Sequence, residues 1–462
     1  MLEQRFKRQG KNRNLRQPLL LLLLVIFVAA VIFGMLTSFE RKQPVIAMDE
    51  IPEFLGADTT LNLSLSDLKS GIRSIHIAIN QENQEKEVFS IEYPRQGYIG
   101  QIGPTEIKEK QLLDFKKLGV KDGPAQITLK VRDYSLWGFF QGNLTQVIQN
   151  ITVDTKAPKI NLLHATRYLK QGGAGIAIYQ ATEDILNHGV QINGNFHPGF
   201  PVSDGRAHTY IAYLALPYDA TAIVEPKITA ADLAGNKTTI GFTSVYKPAN
   251  QKSDRITISD GFLAAKIPEF EEHYPEMTGD LIEKYLYTNR HLRDMNNQKI
   301  QDLCKTPDPG QSWKGAFQRM PGSPRAGFAD HRTYDYQGQP IDEQVHLGVD
   351  IASTQRAEVK AAEAGRVIFT GYHGIYGEMV VLDHGQGVFS LYSHLSQINV
   401  TVDNIVDQNT VLGLTGTTGM AGGDHLHFSM LINGIFVNPK EWWDPHWIAV
   451  TITEPLASSK TN

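Results

Sequence analysis

The distribution of apolar and polar residues divides the chain into segments of different kinds. An unbroken apolar run from Leu19 to Leu36 predicts one helix about 27 Å long, close to the thickness of a bilayer core. Alternating apolar and polar residues over 45–155, and again over 157–247, predict two β domains. Helical spacing predicts a helical connector over 255–305, and short glycine-punctuated strands return over 310–450. The expected fold class is therefore mainly β.

The β domains are predicted as immunoglobulin-like β-sandwiches, because short alternating strands separated by turns are typical of that architecture. The first alternation is carried by Leu61, Leu63, Leu65, Ile75, Ile77, Ile79, Ile127, Leu129 and Val131. Pro158 in VDTKAP interrupts strand pairing and marks a boundary between the two domains. Both segments resemble bacterial immunoglobulin-like extracellular modules, and they are candidate binding surfaces for the cell wall or for protein partners.

The connector carries an apolar stripe at helical spacing, formed by Leu281, Ile282, Tyr285, Leu286, Leu292 and Met295. Such a stripe normally packs against a neighbouring domain. Thr278 is the predicted N-cap of this helical stretch.

The N-terminus predicts a location. Residues 1–17 form a basic tail with Arg5, Lys7, Arg8, Lys11, Arg13 and Arg16, and 18–39 form the predicted transmembrane helix. Basic residues favour the cytoplasmic side, so the remainder is expected to be extracytoplasmic, in the periplasm, on a single-pass inner-membrane anchor. A cleaved signal peptide is the competing interpretation, but its apolar core usually has only about 7–15 residues.

Net charge and cysteine content limit the classes of partner and of metal site. The net charge is −5, and the tail contributes +5, so the remaining chain carries −10. An acidic body offers no electrostatic argument for nucleic acid as a partner. The single cysteine, Cys304, excludes an intramolecular disulfide and a thiolate metal cage. Any metal must therefore be bound by histidines and carboxylates.

Two short clusters in the last third carry candidate metal ligands. In HLGVDIA, His346 and Asp350 are four residues apart around Gly348 and can face one point. Imidazole nitrogen and carboxylate oxygen bind zinc at about 2.0–2.2 Å, so this pair forms half of a zinc site. In GDHLHFSM, His425 and His427 project from the same face of a strand. Metal coordination by one imidazole and proton transfer by the other would offset the cost of placing them together.

Three further features belong to this region. His394, in LYSHLS, is expected at the end of a strand, Val388 to Tyr392, and contributes to a site only in company with the other clusters. Asn433-Gly434 predicts a type I′ hairpin after the strand that contains His427. Trp442 and Trp443 are expected to close the core. Other histidines, including His373 and His384, lack ligand spacing and receive no role.

The order of these motifs resembles the lysostaphin/LytM-like zinc endopeptidases, which cut peptide cross-links of bacterial peptidoglycan. The resemblance covers roughly residues 320–445 and includes TGTTGMAGG and AAEAGRVIFTGYHGIYGEMVVLDHG. It implies a compact β-fold with a groove, of the duplicated hybrid motif type. It also implies one zinc ion per chain bound by His346, Asp350 and His427. His425 and His394 would act as general base and as stabiliser of the tetrahedral oxyanion.

Two residues depart from the family's pattern. Asp424 stands where proline is common, and Ser429 stands where many members have an acidic residue. Neither departure removes a ligand, although both bear on substrate fit and on the basicity of His425.

Three protein ligands would leave a fourth zinc position for water, which is the arrangement of a catalytic site. Zinc lowers the pKa of the water it binds from about 15.7 to about 7. His425 would accept the proton, and zinc with His394 would stabilise the oxyanion. The sequence contains no HEXXH and no G-x-S-x-G motif, and Cys304 has no neighbouring motif. Thermolysin-type, serine and cysteine peptidases are therefore disfavoured.

The leading hypothesis is a membrane-anchored zinc endopeptidase that acts on peptidoglycan peptides. The alternative is a non-catalytic scaffold or regulator that binds the wall and activates other hydrolases, although such regulators typically lose ligands. A third hypothesis gives the β domains the main role, as a module that binds the wall or a partner.

Overall fold

The computed structural model describes residues 16–97 and 101–460 in two units. The first unit contains the chain up to Lys156 and Leu233–Asn236, and the second contains Ala157–Asp232 and the chain from Lys237 onward. The protein is mainly β, with 42% strand and 20% helix, as the alternating patterns predict. The basic residues before Arg16, which belong to the predicted cytoplasmic tail, lie outside the described residues.

The first unit begins with an apolar helix, α1, which spans Arg16–Ser38. Its leucine, isoleucine, valine and phenylalanine side chains are mostly exposed, because no core covers them. The stretch Arg16–Leu36 has a mean hydropathy of 3.3, and none of it is buried. Among the described residues, α1 is the one helix with the length and composition to cross a membrane.

The rest of the first unit forms two sheets around one core. Its strands are β1 Val45–Met48, β2 Phe54–Leu55, β3 Thr60–Ser66, β4 Ile72–Gln81, β5 Gln84–Glu92, β6 Glu106–Leu112, β7 Gly123–Asp133 and β8 Leu144–Val153. Short helices α2 (Phe115–Leu118) and α3 (Trp137–Phe140) lie between strands. The sheet orders are β1-β3-β6 and β2-β8-β7-β4-β5. All nine residues of the predicted alternation are buried in the shared core, whereas the immunoglobulin-like topology stays a prediction.

The second unit begins with two four-stranded sheets and a parallel strand pair. The strands are β9 Ile160–Ala165, β10 Tyr168–Lys170, β11 Ala174–Ala181, β12 Ile185–Ile192, β13 Asn195–Pro198, β14 Phe200–Pro201, β15 Thr209–Ala215, β16 Lys227–Asp232, β17 Lys237–Gly241 and β18 Val245–Lys247. The sheet orders are β14-β15-β11-β9 and β13-β12-β16-β17, and β10 pairs with β18. An immunoglobulin-like topology stays a prediction here too.

Strands β11 and β15 are buried on both faces. One face, which includes Tyr179 and Leu214, packs within the core between the two four-stranded sheets. The other face, which includes Ile178 and Tyr213, packs in the same core as Trp313 and Trp442 of the C-terminal region. The segment 157–247 and the C-terminal region therefore share a continuous apolar core.

The predicted helical connector contains three helices and one strand. These are β19 Ser253–Ile258, α4 Asp260–His273, α5 Leu281–Tyr287 and α6 Arg293–Leu303, with a π-helical turn, Thr288–Leu292, between α5 and α6. The predicted N-cap Thr278 is wrong, because Asp280 caps α5. Its carboxylate accepts from the N–H groups of Ile282 and Glu283, and Glu283 accepts in return from the N–H of Asp280, which completes a capping box.

The C-terminal region is built on one large antiparallel sheet. Its strands are β20 Ser323–Ala326, β21 His331–Tyr336, β22 Gln339–Val345, β23 Val349–Ala352, β24 Glu358–Lys360, β25 Gly365–Tyr372, β26 Glu378–Asp383, β27 Val388–Ile398, β28 Ile405–Val406, β29 Val411–Thr415, β30 Leu426–Ile432 and β31 Ile435–Val437. The main order is β20-β23-β30-β27-β26-β25-β28. A separate sheet, β19-β21-β22, joins the connector to this region.

The predicted hairpin between β30 and β31 is present. Asn433 and Gly434 have φ values of 50° and 83°, the left-handed conformation that both central residues of a type I′ turn require. Short helices follow it: α7 Pro439–Trp443, α8 Pro445–Ile448 and α9 Glu454–Ser458, with a π-helical turn at Ala449–Thr453. Trp442 is fully buried beside Trp313, and Trp443 packs against the same core, as the sequence predicts.

Replacing Trp442 with alanine should lower the unfolding free energy of the second unit by about 3–5 kcal/mol, because the large cavity cannot be refilled. Chemical denaturation followed by circular dichroism measures the change. Ile405→Ala is the control, since this side chain is 76% exposed and should change stability by less than about 0.5 kcal/mol. A loss for Trp442→Ala no larger than that of the control would contradict the assigned core.

Candidate metal centre

Strand register brings two of the predicted ligands together. In the antiparallel pair β23–β30, Asp350 lies directly opposite His427. His346 precedes β23 and reaches the same point from the loop after β22. Leu426 and Phe428, which flank His427, point into the core, as the alternation of a strand requires.

The three side chains form a triangle of donor atoms. His346 Nε2 lies 2.9 Å from Asp350 Oδ1 and 2.9 Å from His427 Nδ1. The third edge, from His427 Nδ1 to Asp350 Oδ1, is 3.0 Å. All three residues are buried, with exposed fractions of 5%, 8% and 5% in chain order.

The other ring nitrogen of each histidine fixes its tautomer. His346 Nδ1 donates to the Gly327 carbonyl at 2.8 Å, which leaves Nε2 of the neutral ring without a proton. The Ser429 hydroxyl donates to the Leu347 carbonyl and therefore accepts from His427 Nε2, at 3.1 Å. Burial lowers the pKa of His427 to about 4, which also favours its neutral form.

Two bare nitrogens and a carboxylate oxygen at these distances repel one another unless a cation lies among them. Two imidazoles and one carboxylate are a donor set that zinc takes in catalytic sites, at about 2.0–2.2 Å from each atom. Second ring nitrogens bonded to a carbonyl or hydroxyl oxygen are typical of histidines that bind metal. The residues present therefore fit a zinc ion held by His346, Asp350 and His427.

Gly348 is required by the close approach of these groups. A Cβ at this position would lie 2.6 Å from His427 Nε2 and 2.6 Å from Ser429 Oγ. Any other residue would push His427 away from Asp350. Steric hindrance by a side chain therefore explains why glycine stands between the two ligands in HLGVD.

Asp350 has a second partner that sequence reasoning missed. An Nη of Arg332, on β21, donates to Asp350 Oδ2 at 3.0 Å, which leaves Oδ1 facing the triangle. The sequence did contain an indication of this partner. Arg332 and Tyr334 are two residues apart in HRTYDY, so on a strand they lie on the same face, and both line the cavity.

His394 lies inside β27, where the sequence expected a strand end. Two β27 residues, Ser393 and His394, oppose the single residue Met379 of β26, which makes a β-bulge. The φ of His394 is 61°, unusual for a residue other than glycine. The bulge directs the ring toward the triangle, with its centroid 5.7 Å from that of His427. Burial and the neighbouring imidazoles lower the pKa of His394 well below its usual value.

His425 completes the group of five. Its Nδ1 donates to the Gly423 carbonyl at 2.7 Å, and its Nε2 lies 3.5 Å from Asp350 Oδ1. Its ring centroid is 4.8 Å from that of His394. Burial opposes protonation, but the hydrogen bond and charge of Asp350 outweigh it and raise the pKa of His425. The structure thus brings all five site residues predicted from the sequence together. Three form the triangle, and His394 and His425 lie beside it.

The loop before His425 is held by the connector. The Thr418 carbonyl accepts from His394 Nδ1 at 2.9 Å. The next residue, Gly419, donates its N–H to Glu269 of α4 at 2.5 Å. The connector therefore fixes the loop that orients His394.

The triangle faces a cavity of about 460 Å³. Part of its lining is the C-terminal sheet and its loops, including Leu347, Tyr376 and Met420. The rest comes from the connector and from β21, which sequence reasoning did not assign to the site: Ile256, Thr257, Ile258, Ser259, Phe262, Tyr285, Arg293, Arg332 and Tyr334.

The histidines given no role lie elsewhere. His373 Nε2 bonds to the Asn296 carbonyl at 2.9 Å, and His384 bonds to the Ala364 carbonyl and to Ser390. Asp424, one of the two departures from the family pattern, accepts from Arg356 N and Thr415 Oγ1. Asp424 therefore braces the neighbouring strands, whereas Ser429 contacts a ligand directly.

Comparison with known proteins confirms the resemblance. Residues 344–439 match the sequence model of Peptidase family M23, so the C-terminal region contains an M23 domain. DD-carboxypeptidase/endopeptidase Mpg of Neisseria meningitidis serogroup B is 39% identical over 108 residues, 23% of this chain and 25% of Mpg. Murein hydrolase activator EnvC of Escherichia coli K12 is 36% identical over 225 residues, 47% of this chain and 52% of EnvC.

The match spans only a quarter of Mpg and about half of EnvC. A crystal structure assigned to peptidase M23 from Pseudomonas aeruginosa is 21% identical, with a TM-score of 0.39, and covers 59% of this chain and 93% of that one.

Ser429→Ala should weaken zinc binding about 10- to 100-fold, because it removes the oxygen that holds His427 Nε2. Competition with a chromogenic zinc chelator measures the affinity. Ser390→Ala is the matched control: Ser390 is equally buried and lies 2.7 Å from an imidazole, that of His384, remote from the triangle. Equal zinc affinity of the two variants would show that Ser429 does not orient a ligand.

Proposed function

We propose that this protein is a membrane-anchored zinc metalloendopeptidase that hydrolyses peptide cross-links of bacterial peptidoglycan. The observation that carries the proposal is the triangle of His346, Asp350 and His427, with two further imidazoles beside it in one cavity. The M23 domain and the DD-endopeptidase names of its relatives support the substrate class.

His346, Asp350 and His427 would hold the metal. When bound, zinc acts as a Lewis acid and lowers the pKa of a coordinated water. Two hydrogen bonds, from His346 Nδ1 and His427 Nε2, set the bare nitrogens toward the ion. Arg332 occupies Oδ2 of Asp350, so that a single carboxylate oxygen faces the triangle.

His425 is proposed as the general base. Its Nδ1 proton is committed to the Gly423 carbonyl, so Nε2 is the atom left to accept a proton in the cavity. After accepting it, His425 can donate the proton to the leaving amine.

His394 is proposed as the stabiliser of the oxyanion. Its Nδ1 donates to the Thr418 carbonyl, so Nε2 is the ring atom that faces the cavity. Burial keeps the free ring neutral; Nε2 would therefore donate to the negative oxygen of the tetrahedral intermediate only after that charge has raised the pKa of the ring and the ring has taken up a proton. The bulge in β27 and the Thr418 contact fix the direction of this imidazole before substrate binds.

Helix α1 is proposed as the membrane anchor. It is long and apolar enough to cross a bilayer, and its side chains are exposed. The basic residues before it favour a cytoplasmic N-terminus, which would place the M23 domain in the periplasm. The β segments are proposed as contact surfaces for the wall or for protein partners.

A regulatory role without hydrolysis is the second candidate. The match to the activator EnvC covers more of this chain than the match to Mpg does. The presence of all five site residues in one cavity favours catalysis instead. A regulator would stimulate other wall hydrolases yet release no peptides itself.

His427→Ala should abolish both zinc binding and the release of peptides from purified sacculi, because it removes one corner of the triangle. Mass spectrometry of the digest, together with metal analysis, checks this. His331→Ala is the control, since this exposed imidazole bonds to Gln251 outside the cavity. Equal release by wild type and His427→Ala would refute the zinc mechanism, and no release by wild type would favour the regulator.

His425→Gln separates catalysis from metal binding. This variant should keep one zinc per chain while hydrolysis falls by about 10²- to 10⁴-fold, since glutamine cannot act as a base. Metal analysis and turnover on the same preparation measure both quantities, with His331→Gln as control. Loss of zinc from His425→Gln would instead make His425 a metal ligand.

A further inference from the structure

We propose that Arg293, assisted by Arg332, forms a subsite that binds a carboxylate of the substrate peptide next to the scissile bond. This inference rests on the proposed function, since it describes how the same cavity recognises its peptide. It assigns a role to one residue of the connector and one of β21, both outside the stretch 344–439 that matches the M23 family.

The charge of the cavity lining is the first observation. The lining residues with permanent charge are Arg293, Arg332 and Asp350. Arg332 pairs with the one carboxylate, and Arg293 adds a second positive charge, so the lining is cationic even before a divalent ion binds. A cationic cavity in a chain of net charge −5 favours an anionic ligand at this place.

Arg293 lacks an anionic partner. Its Nε donates to the Asn289 carbonyl at 3.0 Å, and one Nη donates to Asn289 Oδ1 at 2.5 Å. The neighbouring carboxylate of Asp342 is taken by Arg290, at 2.8 Å, and by the Asn289 amide. Within residues 16–97 and 101–460, no carboxylate forms an ion pair with Arg293, which leaves its second Nη for a ligand.

The position of Arg293 places this charge beside the metal site. Arg293 opens α6, and Tyr376 donates to Asn297 of the same helix at 2.7 Å. The Tyr376 ring lies 5.6 Å from that of His427. Arg293, Tyr376 and His427 all line the one cavity, so Tyr376 connects the helix of the guanidinium with the triangle.

Arg332 adds donors on the strand that carries it. One of its Nη groups is bound to Asp350, and its Nε is buried without a hydrogen-bond partner in the described chain. A buried donor without a partner is costly, and a ligand oxygen would satisfy it. Phe262, Tyr285 and Tyr334 add apolar surface to the lining of the same cavity.

The chemistry of the ligand follows. A guanidinium N–H donates a charge-assisted hydrogen bond to a carboxylate, and this pairing strengthens where water is scarce. Peptidoglycan stem peptides carry free carboxylates beside their cross-links, whereas a glycine bridge is neutral. The subsite therefore selects a cross-link whose adjoining residue bears a carboxylate.

Binding of cleavage-product peptides tests the subsite without depending on turnover. Three synthetic products that differ only in charge are compared by calorimetry on the zinc-loaded full chain. Each product has two carboxylates, one on the residue beside the former scissile bond and one at the C-terminus. In the first peptide both are free, in the second the carboxylate beside the former scissile bond is amidated, and in the third the C-terminus is amidated. Wild type should bind the first about 10- to 100-fold more tightly than the peptide amidated on the residue beside the former scissile bond. The C-terminal amide is the control for a contact to the terminal carboxylate instead.

Arg293→Gln should lose this discrimination while binding the weaker amide with unchanged affinity. Arg290→Gln is the matched control, because its guanidinium lies on the adjacent turn but pairs with Asp342. Equal zinc content and equal melting temperatures of both variants show that the fold is retained.

Equal affinity of wild type for the free peptide and for the peptide amidated beside the former scissile bond would overturn the inference, as would full discrimination by Arg293→Gln. Failure of the proposed function is a separate result, namely no hydrolysis of any cross-linked peptide by wild type. The binding comparison decides on the subsite in either case.

Discussion

The candidate site depends on three lone pairs that face one another across 2.9–3.0 Å. The hydrogen bonds of His346 to Gly327 and of His427 to Ser429 commit their protons elsewhere, so no proton remains to hold the three atoms together. A cation turns this repulsion into attraction. The arrangement is stable in a buried place only because the surrounding backbone keeps the three groups from moving apart.

Several costly local features serve that constraint. Antiparallel pairing of β23 with β30 sets Asp350 opposite His427, and Gly348 gives the backbone room to bring His346 beside them. The left-handed conformation of His394 costs energy, which the Thr418 hydrogen bond and the pairing of β27 offset. Backbone strain thus occurs where the proposed chemistry requires a side chain to point in a fixed direction.

The sequence was sufficient where a feature depends on residues near one another in the chain. The five site residues lie in short motifs, and the Asn433-Gly434 turn has its own backbone requirement. Arg332 and the connector lining were missed because only long-range packing brings β21 and α4–α6 to the cavity. Thr278 was mistaken for the cap because Asp280 competes for the same N–H groups, and its carboxylate also suits the helix dipole.

The connector makes the site a cavity rather than an open groove. Strand β19 pairs in parallel with β21, and Glu269 of α4 accepts a hydrogen bond from the loop that orients His394, so the connector part of the lining and His394 are held by one hydrogen-bonded framework. A peptide that reaches the triangle must therefore contact residues outside the M23 motif. Because the lining residues of the connector reach the cavity from other elements than His346, Asp350 and His427, they can vary without displacing the triangle.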